Sequence, residues 1–224
     1  MNNSNRVQIS IVIAAAIISA AWIIRGGQLS PVAAVAVPVR QDAVSNVMMM
    51  NGGHLMPLAM EEALAAKLVE TGVIDPVKLS QVSELNLLWA FGLANKNRIL
   101  EEGPMKDPRY GGVENFASTG GWTVSKGGAM DHYSHHGFVA LSDVEQELVE
   151  KVAKNVFRPC CKNSTYFPDC NHGMAMLGML EILAAQGADE EALYTASEKA
   201  NRQWFPDVYG NPQSDEPGGG ACAV

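Results

Sequence analysis

Three cysteines and a histidine lie close together in the second half of the chain and could bind a metal ion. Cys160, Cys161, Cys170 and His172 all fall within residues 160–172. Thiolate sulfur and imidazole nitrogen are the usual protein ligands of zinc, and they also suit copper and iron. We therefore expect one transition-metal ion in this segment, with these four side chains as its leading ligands.

The same thiols allow two other kinds of chemistry. The adjacent residues Cys160 and Cys161 cannot easily direct both sulfurs at one ion. In an oxidising compartment either of them could instead form a disulfide with Cys170, and no metal would then be bound. A thiol near the N-terminus of the helix that follows His172 would have a lowered pKa, which favours thiol–disulfide exchange. The sequence leaves these three alternatives open.

A second group of metal-binding side chains precedes the cysteines. His132, His135 and His136 follow Asp131 directly or within a few residues, and imidazole binds zinc, copper, iron and nickel. They could form a second metal site or complete the first one. The neighbouring glycines are also typical of a solvated loop whose histidines have no common role.

Two methionines share a helix face with His172. Met176 and Met179 follow it at i+4 and i+7, and thioether together with imidazole favours copper. Methionine also commonly fills hydrophobic cores, and this apolar stripe continues with Leu180 and Leu183. Core packing is the interpretation that we prefer for both methionines.

The elements that position these residues are predicted to be helices, so the fold class is mostly α. Ser142 and Glu145 form a capping box before an amphipathic segment that Pro159 ends, and the cysteines then lie in a helix–loop–helix. Residues 96–141 hold three glycine pairs and several aromatic residues, which indicates a long but ordered, packed loop. Apolar spacing and capping residues predict helices at 57–72, 75–95, 142–159, 173–186 and 189–205.

The N-terminal region is predicted to hold the protein in a membrane. Residues 7–24 are apolar without a charged side chain, and at ~1.5 Å per residue they would span about 27 Å, close to the hydrocarbon thickness. The alternative is a signal peptide cleaved near Ala34-Val35-Ala36. We expect an uncleaved single-pass anchor over 1–25, a tether over 26–40, a helical extracytoplasmic domain over 41–206 and a flexible tail over 207–224.

Charge limits the partners of this domain. The chain has 16 basic and 24 acidic residues, a formal net charge of −8, so it lacks the basic balance that nucleic-acid binding requires. We expect the membrane as a partner, and a membrane protein complex as a further one, since small residues in the apolar run permit close helix packing.

Part of the chain resembles two bacterial envelope families. The segment from Arg158 to Ser164, together with Gly187-Ala-Asp-Glu-Glu191, is similar to the R-C-x-x-C-x-N motif and following helix start of the cytochrome c maturation reductase-like helical domain. The segment from Pro159 to His172 resembles proteins with a P-C-Y-C-G-C motif that are regarded as metal-binding. These resemblances cover about residues 152–205, with adjacent cysteines in place of C-x-x-C, and imply a cysteine-using domain of the cell envelope.

Three functions are therefore expected of this protein. The first is a membrane-anchored cell-envelope (periplasmic) protein that binds a transition metal through its cysteines and histidines. The second is a thiol–disulfide or metallocentre assembly factor. The third is an accessory subunit of a membrane complex, in which disulfides stabilise the domain. No catalytic residue is predicted.

Overall fold

The computed structural model describes residues 55–56 and 58–209, and this part of the chain is mostly helical with no β-strand. Two isolated β-bridges, Asn95 with His136 and Phe157 with Ser164, are the extended pairings found there. The mostly α fold class is therefore confirmed. In chain order the α-helices are α1 (Leu58–Glu70), α2 (Glu84–Ala94), α3 (Arg98–Glu102), α4 (Asp143–Asn155), α5 (Asn171–Ala185), α6 (Glu190–Trp204) and α7 (Pro206–Tyr209).

Helices α2 and α5 cross at the centre of the domain. Gly92 and Gly178 lie at the crossing, where a Cβ on Gly92 would stand 2.2 Å from the carbonyl oxygen of Met174, and a Cβ on Gly178 would stand 2.5 Å from that of Leu88. The two backbones can approach this closely only because neither residue has a side chain. Nearly the whole circumference of α5 is buried as a result.

Two amphipathic helices cover α5. The Ser142 amide donates to the Glu145 carboxylate over 2.7 Å, so the predicted capping box begins α4. Helix α4 buries Val149 and Val152, and α6 buries Leu193. Both helices contact α5 and each other, and α1 packs on α2. This arrangement leaves the N-terminus of α5 beside the cysteine loop.

One predicted helix is divided in the structure. The single helix expected over 75–95 is wrong, because a 3-10 helix (Pro76–Gln81) is followed by extended Val82 before α2 begins. The Ser83 side chain accepts a hydrogen bond from the Asn86 amide, and the Asn86 side chain accepts one from the Ser83 amide. This capping box starts a second helix where apolar spacing alone suggested continuity.

The glycine-rich segment 96–141 is ordered, as its aromatic residues predicted. It contains α3 and four 3-10 turns, at Pro104–Lys106, Pro108–Tyr110, Val113–Asn115 and Ala129–Asp131. The indole of Trp122 donates to the Val73 carbonyl over 2.9 Å, and the indole of Trp89 donates to the Ser118 carbonyl over 2.7 Å. These bonds attach the loop to the helical core.

The segments predicted as anchor and tether, together with residues 41–54, lie outside the described residues, as do Cys222 and the rest of the tail after Tyr209. Among the helices that the structure describes, none has both the length and the apolar character needed to cross a membrane. The first residues of the predicted tail belong to α7.

Candidate metal centre in the cysteine loop

The segment between α4 and α5 turns back on itself and places the cysteines against the start of α5. Helix α4 ends at Asn155 rather than at Pro159, because the chain leaves the helix to pair with the returning loop. The Thr165 amide donates to the Val156 carbonyl over 2.8 Å, and Phe157 forms an antiparallel bridge with Ser164.

A buried arginine organises this loop from inside. The Arg158 side chain is fully buried and donates to the carbonyls of Ser164 and Phe167 over 2.8 and 3.0 Å, and to the Asp169 carboxylate over 2.6 Å. A Cβ on Gly173 would stand 2.7 Å from the centre of the guanidinium group. The arginine therefore lies flat against the first turn of α5, in space that only glycine leaves open.

Cys170 forms the N-cap of α5. Its sulfur accepts a hydrogen bond from the Gly173 amide at 3.4 Å, and its side chain is buried. The prediction that a thiol lies at this helix N-terminus is confirmed, and the positive end of the helix dipole favours a thiolate there. No two of the three cysteines in the described residues are joined by a disulfide, so the disulfide alternative is not the state seen here.

The structure brings the predicted cysteine-loop ligands together in two overlapping groups. The ligand atoms of Cys160, Cys170 and His172 lie within 4.8 Å of one another, and so do those of Cys161, Asp169 and Cys170. Cys170 belongs to both groups. The four residues named from the sequence therefore converge, but they divide between two neighbouring donor sets and do not form a single set of four.

His172 is held as a neutral imidazole. Its ring packs on Phe205, with the centroids 4.6 Å apart, and on Trp204 at 5.8 Å. Burial, and then the positive charge of Arg158, lower the pKa of His172 to about 4. The Nδ1 atom is buried and has no hydrogen-bond partner. A neutral ring with an unpartnered nitrogen is the form in which histidine binds a metal.

Cys161 differs from its neighbours in its electrostatic surroundings. Burial alone would raise the pKa of this thiol, but a hydrogen bond from the Asn163 amide and the charge and hydrogen bond of Arg158 together lower it below its ordinary value. A hydrogen bond with the Cys160 side chain adds to this effect. The surroundings of Cys161 thus favour the thiolate, the nucleophilic form of cysteine.

The predicted histidine group is a separate feature. His132 and His136 are paired, with Nδ1 of the first 3.0 Å from Nε2 of the second, while His135 is exposed. Burial, followed by the neighbouring imidazoles, lowers the pKa of His136. In the part of the chain that the structure describes, both groups of three ligand atoms belong to the cysteine loop, and these histidines enter neither.

Met176 and Met179 are core residues. Both side chains are buried, within the hydrophobic cluster that surrounds α5. The preferred interpretation of this stripe as core packing is confirmed. Of the three residues on this face of α5, His172 is the one that lies beside the cysteines.

Two residues of the site were not predicted as functional. Arg158 contacts the sulfur of Cys161, and Asp169 contributes a carboxylate to the second ligand group. Sequence spacing gives no reason to bury an arginine beside the cysteines. The one local signal is Gly173. Glycine is unfavourable inside a helix, so its presence in the first turn of α5 indicates that another group packs closely against the backbone there.

Comparisons of the chain with protein-family models, with curated proteins and with solved structures found no match. The function of the site must therefore be argued from its own geometry.

Proposed function

We propose that this protein binds a thiophilic transition-metal ion through Cys160, Cys170 and His172. The observation that carries the proposal is the convergence of these three ligand atoms within 4.8 Å of one another, together with the buried, unpartnered Nδ1 atom of His172. A buried polar atom without a partner is costly, and a metal ion bound through Nδ1 would satisfy it.

The second donor group is less suited to a metal because its members are already engaged. The Asp169 carboxylate accepts from Arg158 through one oxygen and from the Asn163 side chain, over 2.9 Å, through the other. The Cys161 sulfur also accepts a hydrogen bond from Arg158. A cation at this position would have to displace these donors.

Two sulfurs and one nitrogen define the class of ion. Such a set suits zinc or copper, and iron is a third candidate, whereas calcium and magnesium require oxygen ligands. Three protein ligands leave a fourth tetrahedral position for water, a partner's side chain or a small molecule. Such a site could carry an ion for transfer or hold it for chemistry.

The test is elemental analysis of the full-length protein purified in mild detergent. We expect about one zinc, copper or iron per chain. Cys160→Ser, Cys170→Ser and His172→Phe should each lose most of it, the last while keeping a ring against Phe205. Cys161→Ser is the matched control and should keep the metal. Absence of metal in the wild type, or unchanged content in Cys170→Ser, would refute the proposal.

A second candidate function is thiol–disulfide exchange through Cys161, favoured by the lowered pKa of its thiol. Limited alkylation at neutral pH, followed by peptide mass spectrometry, should then modify Cys161 ahead of the other cysteines. Preferential modification of any other cysteine would exclude this role.

The place of this domain in the cell is also a proposal. We infer from the uncharged apolar run at residues 7–24 that it is anchored in a membrane with its helical part on the extracytoplasmic side, where it could join a membrane complex. Resistance of the protein to alkaline extraction from membranes would support the anchor, and complete release would contradict it.

A further inference from the structure

The sulfur of Cys170 is shared by two chemical arrangements. It lies within 4.8 Å of the ligand atoms of Cys160 and His172, and within the same distance of the Cys161 sulfur. A metal site needs the Cys170 thiolate, whereas a disulfide consumes it. The two uses of this atom therefore compete.

We propose that a Cys161–Cys170 disulfide and metal occupancy exclude each other, so that oxidation of this pair empties the metal site. This inference rests on the proposed metal function and assigns a means of control to it. With an ion held by Cys160, Cys170 and His172, Cys161 is the thiol of the loop that remains outside the ligand set. Cys160 and Cys161 are both partly exposed and Cys170 is buried. Because the ion would hold Cys160, Cys161 is the accessible thiol that an oxidant meets outside the ligand set.

The sulfurs of Cys161 and Cys170 are close enough to be joined by a movement of their side chains, since they lie within 4.8 Å of each other. Cys170 is fixed as the helix N-cap by the Gly173 amide. Cys161 lies in a turn closed by the Lys162 amide, which donates to the Arg158 carbonyl over 2.9 Å. Because Cys170 is fixed, the Cys161 side chain is the one that moves. The distance between the two sulfurs must fall from at most 4.8 Å to about 2.05 Å, the length of a disulfide bond.

The contact between Arg158 and the Cys161 sulfur favours the reduced form of the pair. A disulfide sulfur carries no negative charge and is a weaker acceptor for the guanidinium group than a thiolate. The structure thus stabilises the reduced pair, and stabilisation of the reduced form makes a disulfide easier to reduce. We therefore expect that low-molecular-weight thiols such as reduced glutathione can reduce this disulfide. It would then act as a reversible regulatory bond and not as a permanent cross-link.

The exchange needs a low-molecular-weight disulfide as oxidant. The Cys161 thiolate attacks one sulfur of that disulfide, whose S–S bond breaks and releases one thiolate. Cys170 then leaves the metal ion and attacks the Cys161 sulfur in the mixed disulfide, releasing the second thiolate. The protein pair loses two electrons, the oxidant becomes two thiols, and the ion keeps only Cys160 and His172 and dissociates.

The experiment uses full-length protein in mild detergent, loaded with zinc alone and treated with oxidised glutathione. Zinc release is followed with a chromogenic chelator, and the cysteine pairing is mapped by peptide mass spectrometry. We expect the wild type to release zinc as the Cys161–Cys170 link forms, and to bind zinc again after reduction. Cys161→Ser should bind the same amount of zinc. It should release that zinc at about one tenth of the wild-type rate or more slowly still.

The outcomes separate this inference from the function on which it rests. If the wild type binds none of zinc, copper and iron, the proposed function fails and the inference fails with it; if it binds copper or iron in place of zinc, the same release experiment is made with that ion. If zinc binds but Cys161→Ser releases it as fast as the wild type, or if the map shows Cys160 joined to Cys170, the metal function stands and the inference is refuted. Formation of the Cys161–Cys170 link without zinc release refutes it as well. The map of the wild type needs no variant, so it decides the question even where Cys161→Ser is unstable.

Discussion

Replacing Arg158 with alanine should lower the free energy of unfolding of the domain more than replacing a surface arginine does. The guanidinium group donates hydrogen bonds to the carbonyls of Ser164 and Phe167 and to the Asp169 carboxylate, and a further one to the sulfur of Cys161. Its removal takes one hydrogen bond from each of these acceptors, leaves the partly buried carboxylate of Asp169 without its opposite charge, and opens a cavity against Gly173. Breaking a fully buried ion pair from one side costs about 3–5 kcal/mol. Because the Asp169 side chain is 22% exposed, we expect a loss near the lower end, about 3 kcal/mol, of a total stability that is typically about 5–15 kcal/mol for a domain.

The chain provides a matched control for this change. Arg109 forms a similar ion pair with Asp107, at 2.7 Å, but its side chain is 79% exposed. Water replaces such a pair at little cost, so Arg109→Ala should leave the unfolding midpoint nearly unchanged. Arg158→Lys should fall between the two, because one ammonium group keeps the charge but cannot reproduce the planar fork of donors.

The assay is urea unfolding of the full-length protein and its variants, followed by circular dichroism in the same mild detergent. The expected order of midpoints is wild type close to Arg109→Ala, then Arg158→Lys, then Arg158→Ala. A midpoint for Arg158→Ala equal to that of Arg109→Ala would show that the buried arginine does not hold the loop together.

Three further substitutions test the helix crossing, a buried carboxyl group and a helix cap. Gly178→Ala should cost about 2 kcal/mol or more, since its Cβ would lie 2.5 Å from the Leu88 carbonyl oxygen; Gly137→Ala, with nothing within 4 Å, is the control, and equal melting temperatures for the two variants would contradict the close crossing. Glu181 is fully buried, and burial raises its pKa well above 4.5, so its contribution to stability is present below that pH and is lost as the pH rises. Glu181→Gln should therefore be more stable than the wild type at pH 7 and should lose the advantage near pH 4, whereas a constant difference across urea titrations at these pH values would argue against a protonated Glu181. Ser142→Ala removes a helix cap and should lower the free energy of unfolding by about 1 kcal/mol; an unchanged urea midpoint would show that the cap is not needed.

Much of the helical framework could be predicted because its signals are local. The capping box at Ser142 and the apolar spacing of α4 determine a helix over a few consecutive turns, without reference to distant residues. The same logic failed over 75–95, where the apolar spacing continues across a break. There the side chains of Ser83 and Asn86 each accept a hydrogen bond from the other residue's backbone amide. These two bonds favour the start of a new helix at this point over continuation of the preceding one.

The cysteine loop illustrates where local signals end. The sequence brought Cys160, Cys161, Cys170 and His172 into one segment and indicated metal or thiol chemistry. It could not divide them into two donor sets, because that division depends on Arg158 and on the contact of His172 with Phe205, which comes from the far end of α6.

Sequence alone thus determined most of the helical framework and which residue types are available for chemistry, since both follow largely from side chains close together in the chain. The tertiary structure decided which of those residues meet. Arg158 is buried against Gly173 in the first turn of α5, and Glu181 of α5 is buried against Asn95, the residue that follows α2. Such packing joins residues distant in sequence, and only the sum of many weak contacts over the whole domain selects it.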